Sequence, residues 1–182
     1  MPLAVLTGPK HSGKTSAGRA LQELLGGEFI DIDTLIGERE RLPARTLYRL
    51  GRDVFMQAEA GALASAMAAA SPDKALIVAA GGGLIDNETA VRHLTENPFA
   101  AIIYLEVSAD TAWNRIAEEA RNGAGLPAFL DTENPRAAHA AIHTRRSAAY
   151  KKLAGFTVDT EGKSPAQIAA LCAEMLATRT GT

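Results

Sequence analysis

The chain has 182 residues and a formal net charge of −2 at pH 7, and 47% of its residues are hydrophobic but only 5% aromatic. This length fits one domain that encloses its own core. Both charge signs are scattered along the chain, so we expect no nucleic-acid or membrane partner, and no apolar run is long enough to span a bilayer. A single cysteine, Cys172, excludes an internal disulfide and a cysteine-based metal site, and we expect a cytoplasmic protein.

Short apolar runs alternate with amphipathic stretches along the chain. Five runs are typical of strands: residues 3–7, 28–33, 75–80, 101–107 and 156–159. The middle runs are continuously apolar, as in strands that are covered on both faces, and helical patterns separate them. This alternation predicts a single three-layer α/β domain over residues 1–182 with a mainly parallel sheet.

Two helices and one loop carry clear local signals. The first helix is predicted over 13–25, where two glycines stop it, and the last helix begins at Ser164 with Pro165 and Gln167 completing a capping box. Residues 122–135 are rich in glycine and proline and have little periodicity. They are predicted to form a mobile loop, and long loops in small domains are commonly functional.

The strongest functional signal is a phosphate-binding loop. Residues 8–15 read GPKHSGKT and match GxxxxGK[ST], with a predicted strand before them and a predicted helix after them. Glycines let consecutive backbone N–H groups turn toward phosphate oxygens, and the helix start adds the positive end of its dipole. We expect Lys14 to bridge the β- and γ-phosphates of ATP and the Thr15 hydroxyl to hold Mg²⁺, whereas Lys10 and His11 face solvent. The nucleotide-binding residues of this segment are Gly8, Ser12, Gly13, Lys14, Thr15 and Ser16.

Two carboxylates end the second predicted strand. Asp31 and Asp33 alternate with Ile32, so both side chains would point to the same side, at the carboxyl edge where parallel sheets bind their ligands. One carboxylate could organise Mg²⁺ through water, and the other could accept the proton of an attacking hydroxyl. A solvated turn is the alternative explanation for this acidic pair.

Three glycines, Gly81, Gly82 and Gly83, follow the third predicted strand. Residues without a Cβ let the backbone approach a ligand closely and leave its N–H donors accessible. Because this strand end would face the phosphate loop, we predict that the triplet lines the site. A flexible loop is the alternative.

Six segments together resemble the shikimate kinases. They are the phosphate loop, FIDID, VAAGGG, YLEVSADTAWNRI, RRSAAY and FTVDTEGKSP, in the order and spacing of that family over essentially the whole chain. The resemblance implies a P-loop kinase fold of the nucleoside-monophosphate-kinase type: a five-stranded parallel sheet in α/β/α layers, a lid at about 122–135 and a substrate-binding helical segment at about 34–70. It also implies transfer of the ATP γ-phosphoryl group, with Mg²⁺, to the 3-hydroxyl of the small molecule shikimate.

The resemblance also assigns roles to individual residues. Lys14 and Asp33 would be catalytic, Thr15 and Asp31 would hold the metal, and Arg121 would stack on adenine, whose edge the turn 159–165 would wrap. Arg146 would bind the substrate carboxylate. The residues implied to hold the acceptor are Asp33, Gly81, Gly82, Gly83 and Arg146.

Two family arginines lack a counterpart at the expected positions. Phe55 and Glu59 keep their family places, but Met56 stands where an arginine should follow Phe55, and Leu126 stands where the lid motif has its arginine. An arginine holds a carboxylate through two charge-assisted hydrogen bonds and methionine offers none. Arg52, one helical turn before Met56, is our hypothesis for a replacement.

Three functions therefore stay open. The first is a shikimate kinase with a rearranged clamp, the second is a kinase of another hydroxylated small molecule, and the third is a nucleotide-binding regulatory protein that has lost catalysis. The intact phosphate loop, acidic pair and glycine triplet favour a kinase. His139 and His143 share a helical face and are expected to be a solvated surface. The sequence does not distinguish ATP from GTP as donor, and for the oligomeric state we expect a monomer or a weak homodimer.

Overall fold

The computed structural model describes residues 2–180 of the chain. Within these residues, one five-stranded sheet has the order β2-β3-β1-β4-β5, and every neighbouring pair is parallel. The strands are β1 Leu3–Thr7, β2 Glu28–Asp31, β3 Leu76–Ala79, β4 Ala100–Glu106 and β5 Phe156–Asp159.

Helices connect the strands and cover both faces of the sheet. In the described part of the chain the α-helices are α1 Lys14–Leu25, α2 Ile32–Glu40, α3 Ala44–Leu50, α4 Arg52–Ala68, α5 Glu88–Glu96, α6 Ala109–Glu119, α7 Pro135–Leu153 and α8 Pro165–Thr180. Two short 3-10 turns, Leu84–Asp86 and Ala128–Leu130, and one irregular turn, Ala120–Ala124, complete the fold. None of the helices within residues 2–180 combines the length and the apolar character that crossing a bilayer requires.

The core consists of two layers, one on each face of the sheet. Alternate residues of β1 divide between them: Val5 packs in the layer with α2, α4 and α5, and Leu6 packs in the layer with α1 and α8. Both side chains are fully buried. This division explains why the central strands are continuously apolar, and the predicted three-layer α/β/α arrangement is confirmed.

The end signals of the first and last helices are also confirmed. Gly26 ends α1 in the left-handed conformation, with a φ of 65°. At the start of α8 the Gln167 backbone N–H donates to Ser164 Oγ, and the Ser164 backbone N–H donates to Gln167 Oε1. These reciprocal bonds are the capping box that the sequence predicts.

The predicted second strand is two residues too long. β2 ends at Asp31, and α2 begins at Ile32, so Asp33 lies in the first turn of a helix and not on a strand. The reason is local capping: the Asp31 side chain accepts a hydrogen bond from the Thr34 backbone N–H at 3.2 Å, which starts the helix. The third strand, predicted over 75–80, and the fourth, predicted over 101–107, differ by one residue at their ends.

Candidate active site

The carboxyl ends of β1, β2 and β3 meet at one edge of the sheet. Leu6 pairs with Ala79, and Asp31 pairs with Ala79 from the other side, so the segments that follow these strands are neighbours in space. A cavity of about 520 Å³ opens at this edge. Its lining includes Lys10, His11, Gly13, Lys14, Thr15, Ser16, Asp31, Asp33, Arg45, Tyr48, Phe55, Glu59, Gly81, Gly82, Gly83, Glu119, Phe129 and Arg146.

The phosphate loop turns tightly between β1 and α1. Gly8 has a φ of 140°, and a Cβ there would lie 2.6 Å from the Leu105 carbonyl oxygen, so only glycine fits. Gly13 and His11 have φ values of 92° and 63° in the left-handed region. The Ser12 hydroxyl is buried, and no hydrogen-bond partner is found for it among the described residues. Gly8 and Ser12 thus belong to the loop without lining the cavity, unlike Lys10, His11 and Gly13.

Lys14 folds back over this loop. Its Nζ donates to the carbonyl oxygens of Gly8 at 2.9 Å and Pro9 at 2.8 Å. Removal of the ammonium group from water lowers the pKa of Lys14 to about 8, although the carboxylates of Asp33 and Asp31 work in the opposite direction. A poorly hydrated cation held at the mouth of a ring of backbone N–H groups is a strong site for phosphate.

Thr15 and Asp31 meet beside the loop. Thr15 Oγ1 donates to Asp31 Oδ2 at 2.8 Å, while Asp31 Oδ1 caps α2. Hydroxyl and carboxylate oxygens are the ligands that Mg²⁺ prefers. Within residues 2–180 no cluster of three or more His, Cys, Asp or Glu side chains could hold a metal alone.

Asp33 reaches the cavity from the first turn of α2. Partial removal from water raises its pKa, as does the neighbouring Asp31 carboxylate, while Lys14 lowers it. The expected meeting of the two aspartates at the site is thus correct, but helix geometry brings it about and not alternation along a strand. A carboxylate with a raised pKa next to a cationic phosphate site is suited to accept a proton.

Glu59 on α4 adds a third carboxyl group to the cavity wall. Its side chain is 1% exposed, and Asn87 Nδ2 donates to Oε2 at 2.9 Å. Burial raises the pKa of Glu59 to about 7, and Oε1 has no hydrogen-bond partner among the described residues. Glu59 keeps its family place in the sequence, but no role was predicted for it. Its position 26 residues after Asp33 in the chain gives no local sign that the two carboxyl groups are neighbours.

The glycine triplet separates these groups from the phosphate loop. A Cβ at Gly81 would lie 2.5 Å from Glu59 Oε1 and 3.4 Å from Asp33 Oδ1. One at Gly82 would lie 2.8 Å from the Lys10 backbone nitrogen, and one at Gly83 would lie 3.2 Å from Arg146 Nη2. Close approach of three different parts of the site explains the triplet, as predicted.

Arg146 on α7 lines the cavity behind Gly83. Its Nη2 and Nε both donate to Asp86 Oδ2, at 2.8 and 3.0 Å, and Nη1 donates to the Gly82 carbonyl oxygen at 3.2 Å. Burial would raise the pKa of Asp86, but hydrogen bonds from Arg145 and Arg146 outweigh burial and lower it. The Phe129 ring of the loop 122–135 lies over the Arg146 guanidinium, 5.4 Å from its carbon. Arg146 therefore lies at the cavity and shares the Asp86 carboxylate with Arg145.

Lys10 and His11 do not simply face solvent. Lys10 Nζ and His11 Nε2 contact Glu119 Oε2 at 2.8 and 2.9 Å, and Arg115 Nη1 donates to the His11 carbonyl oxygen at 2.7 Å. Glu119 is the last residue of α6, directly before the predicted lid. This contact is not predictable from local sequence, because Glu119 lies more than a hundred residues from the phosphate loop.

Arg121 lies outside the cavity. It is exposed, and its Nε donates to the Ala117 carbonyl oxygen at 3.3 Å. The turn 159–165 is tied to the start of α6, where Glu161 accepts hydrogen bonds from the Ser108 backbone N–H and the Thr111 hydroxyl. The adenine contacts assigned to Arg121 and to this turn stay predictions.

The wall formed by α3 and α4 differs from the expected one. Met56 and Arg52 are not among the cavity-lining residues, and Arg52 is exposed. Arg45 on α3 lines the cavity instead, and its guanidinium donates to the backbone carbonyls of Ala124 and Leu126, the second at 2.9 Å. The structure thus brings an arginine to the acceptor wall from a position that the motif comparison did not suggest.

His139 and His143 are 5% and 8% exposed, so the prediction of a solvated surface was wrong. The rings lie 5.7 Å apart, His139 packs at 5.7 Å from Trp113, and His143 Nδ1 is 3.3 Å from Ser147 Oγ. Burial lowers the pKa of both histidines. They lie on α7, where His139 packs against Trp113 of α6, and neither histidine lines the cavity.

Comparison with known proteins extends this assignment. The family model for shikimate kinase matches residues 10–177. The shikimate kinase of Thermobifida fusca is 35% identical over 179 residues, which cover 96% of this chain and 95% of that protein. The shikimate kinase of Corynebacterium diphtheriae is 32% identical over 170 residues, which cover 93% of this chain and 91% of that protein. A solved structure of the Acinetobacter baumannii shikimate kinase in complex with shikimate superposes with a TM-score of 0.85 at 25% identity, covering 100% of this chain and 96% of that one.

The fold and the cavity define a P-loop kinase, a phosphotransferase that uses ATP and has an alcohol group as its acceptor. The sheet order, the phosphate loop and the carboxylates that face it all agree with this class. Within the class, the chain belongs to the shikimate kinase family, because the family model and relatives above 30% identity cover nearly its full length.

Proposed function

We propose that this protein transfers the γ-phosphoryl group of ATP to a hydroxyl of shikimate, with Mg²⁺ as the metal. One observation carries the proposal: Lys14 and Asp33 lie at the same cavity and interact electrostatically, so a phosphate site and a proton acceptor face a common space. The relative from Acinetobacter baumannii, solved with shikimate bound, supports the choice of acceptor.

The nucleotide would bind along the phosphate loop. Backbone N–H groups between Gly8 and Thr15 would receive its phosphate oxygens, and the Ser12 hydroxyl, which is buried with no partner within residues 2–180, would add a donor. Lys14 would exchange the carbonyls of Gly8 and Pro9 for the β- and γ-phosphates. This exchange replaces two neutral acceptors by charged ones, which favours the bound state.

The residues beside the loop fit Mg²⁺. Thr15 Oγ1 and Asp31 Oδ2 present two oxygens at one place, and Mg²⁺ is usually bound by one or two protein oxygens together with substrate phosphates and water. Mg²⁺ held by these residues would neutralise part of the charge of the phosphates. Thr15 would bind it directly and Asp31 would orient its water ligands.

Asp33 would hold the attacking hydroxyl. The acceptor oxygen forms a bond to the γ-phosphorus as the bond from that phosphorus to the β–γ bridging oxygen breaks, and ADP leaves. The hydroxyl proton passes to the Asp33 carboxylate and from there to solvent. The Lys14 ammonium group stabilises the negative charge that develops at the bridging oxygen. Gly81 gives the acceptor room against this carboxylate, since a Cβ there would crowd Asp33 and Glu59.

ADP release in the presence of Mg²⁺, ATP and a panel of hydroxylated acceptors tests the proposal, with Lys14→Ala as the blank. We expect turnover that depends on shikimate and on Mg²⁺. The substitution Asp33→Asn should lower the rate of this turnover by about 10²-fold or more. Turnover with another acceptor only would favour a kinase of a different small molecule, which the apolar wall of Tyr48, Phe55 and Phe129 could suit. Nucleotide binding without any acceptor-dependent turnover would favour a regulatory protein.

We also propose that the enzyme works in the cytoplasm as a monomer or a weak homodimer, without nucleic-acid or membrane partners. The buried thiol of Cys172, whose pKa burial raises to about 12, is a packing group that suits a reducing compartment. Light scattering during size-exclusion chromatography tests the oligomeric state.

A further inference from the structure

Arg45 is the guanidinium at the cavity that no carboxylate neutralises. Among residues 2–180 two arginines line the cavity, Arg45 and Arg146. Arg146 forms an ion pair with Asp86, whereas no ion pair of Arg45 is found in this part of the chain. The acceptor half of the cavity also contains the carboxyl groups of Asp33 and Glu59. Arg146 shares that one carboxylate with Arg145, while Arg45 is the cavity-lining arginine without a carboxylate partner among these residues, so it offers an anionic acceptor an uncompensated charge.

The position of Arg45 favours the acceptor over the nucleotide. Arg45 and Tyr48 are three residues apart on α3, so they share a helical face, and Tyr48 packs edge-on against Phe55 with ring centroids 5.6 Å apart. All three residues line the cavity. The phosphate loop has its own cations, Lys10 and Lys14. Arg45 thus shares the α3–α4 wall of the cavity with Tyr48 and Phe55.

The same guanidinium contacts the loop 122–135, several residues of which line the cavity. It donates to the carbonyl oxygens of Ala124 and Leu126, and a Cβ at Gly125 would lie 3.4 Å from Arg45 Nη2. These bonds occupy two of the five N–H donors of a guanidinium, so three remain for an anion. A carboxylate bound there would be held between α3 and the backbone of the loop, beside Leu126.

We propose that Arg45, on α3, binds the carboxylate of the acceptor. It thereby provides the charged contact that Met56 and Leu126 cannot form. This inference rests on the proposed function, because shikimate is the acceptor that brings the carboxylate. It assigns the specificity for an acidic acceptor to a residue outside the motifs that identify the family. Arg52, our first hypothesis for this role, does not line the cavity.

The test compares shikimate with its methyl ester, which keeps the hydroxyls and lacks the charge. Arg45→Ala removes the guanidinium, and Arg45→Gln removes the charge but keeps an amide that can donate to the carbonyls of Ala124 and Leu126. We expect both variants to lower kcat/KM for shikimate by about 10- to 100-fold, mainly through KM, since a charge-assisted hydrogen bond is lost. KM for ATP and the activity with the ester should stay within about twofold of the wild type.

Arg49→Ala is the matched control, because Arg49 lies on the same helix, is exposed and does not line the cavity. It should leave all these constants unchanged. Equal losses on the acid and the ester would overturn the inference and leave Arg45 as a contact of the loop alone, as would an unchanged KM for shikimate in both variants. If the wild type neither binds nor phosphorylates shikimate, the proposed function itself fails. Thermal unfolding of each variant shows whether it is folded.

Discussion

Lys14 carries its positive charge in surroundings that weaken it. Removal from water lowers its pKa to about 8, so the free enzyme begins to lose this charge just above neutral pH. Phosphate binds the ammonium form, and in the nucleotide complex the phosphate charges raise the pKa again. We therefore expect the dissociation constant of ATP to rise above pH 8, by up to about tenfold per pH unit.

Calorimetric titration of a non-hydrolysable ATP analogue between pH 7 and 9.5 measures this effect. Lys14→Arg is the control, because a guanidinium stays charged over the whole range and should remove the pH dependence whatever the affinity. A dissociation constant of the wild type that does not change up to pH 9.5 would contradict the expected pKa.

Glu59 makes the stability of the protein depend on pH. Its pKa is about 7 in the folded state against an ordinary value of 4.5, so between these values the folded state binds more protons than the unfolded one. The free energy of unfolding contributed by Glu59 is therefore highest below pH 4.5 and decreases as the pH rises to 7. The full shift corresponds to a loss on the order of 3 kcal/mol.

Urea unfolding of the wild type and of Glu59→Gln at pH 5 and pH 8 tests this prediction. The variant cannot titrate at this position, so its stability should fall less between the two pH values, by about 1–3 kcal/mol. Contributions of other groups, such as Asp33, are common to both proteins and largely cancel. Equal losses in the two proteins would show that Glu59 is ionised throughout.

At the residue scale, the sequence was sufficient where the chemistry is local. Lys14 and Thr15 follow from one continuous motif, and the geometry of the loop agrees with it. Arg45, Glu59 and Glu119 come from separate segments that meet only in the folded chain. Nothing in the residues around Arg45 indicates that it faces the loop 122–135, because this contact depends on how α3 packs.

At the scale of single elements, α8 offers a direct measurement of a predicted cap. Ser164 and Gln167 exchange two hydrogen bonds at its start, and α8 packs on the sheet together with α1. Ser164→Ala removes the side-chain acceptor and should lower the free energy of unfolding by about 1 kcal/mol. Chemical denaturation measures the loss.

Gln167→Ala removes the other half of the capping box and should cost less, because the Ser164 hydroxyl still accepts from the helix. In the double variant the free energy of unfolding should fall by less than the sum of the two single decreases, since the two bonds stabilise the same turn. Strict additivity would mean that the bonds act independently.

The second strand shows why element boundaries are harder to predict than elements. Alternation of Asp31, Ile32 and Asp33 is compatible with a strand, and Ile32 is fully buried in the helix that forms instead. The Asp31 side chain decides the outcome, because it accepts from the Thr34 backbone N–H and starts α2. Capping competes with strand alternation here, and a periodicity analysis over three residues cannot separate the two.

At the scale of the whole molecule, the alternation of apolar strands and amphipathic helices was enough to predict the layers. The strand order was not deducible from that pattern and depends on the register of β1 with β3 and β4. The cavity joins residues from six separate parts of the chain, so its occupant should stabilise the fold as a whole.

We therefore expect ADP with Mg²⁺, at a free concentration of about 100 times its dissociation constant, to add about 2.7 kcal/mol to the stability. For a domain of this size that is a rise in Tm of roughly 5–10 °C. Lys14→Ala should lose most of the rise, and Lys152→Ala, an exposed residue that does not line the cavity, should keep it. A rise of the same size in Lys14→Ala would place the nucleotide elsewhere.

The central position of β1 has a consequence for how the chain folds. Leu3 pairs with Leu76 on one side and with Ala100 on the other, so the strand made first obtains its neighbours only after most of the chain exists. Parallel pairings between such distant segments are entropically costly and slow folding. The phosphate loop directly follows the end of this strand. We expect the ability to bind nucleotide to arise late in refolding, together with the pairing of β1 and β4, although its motif begins at the eighth residue.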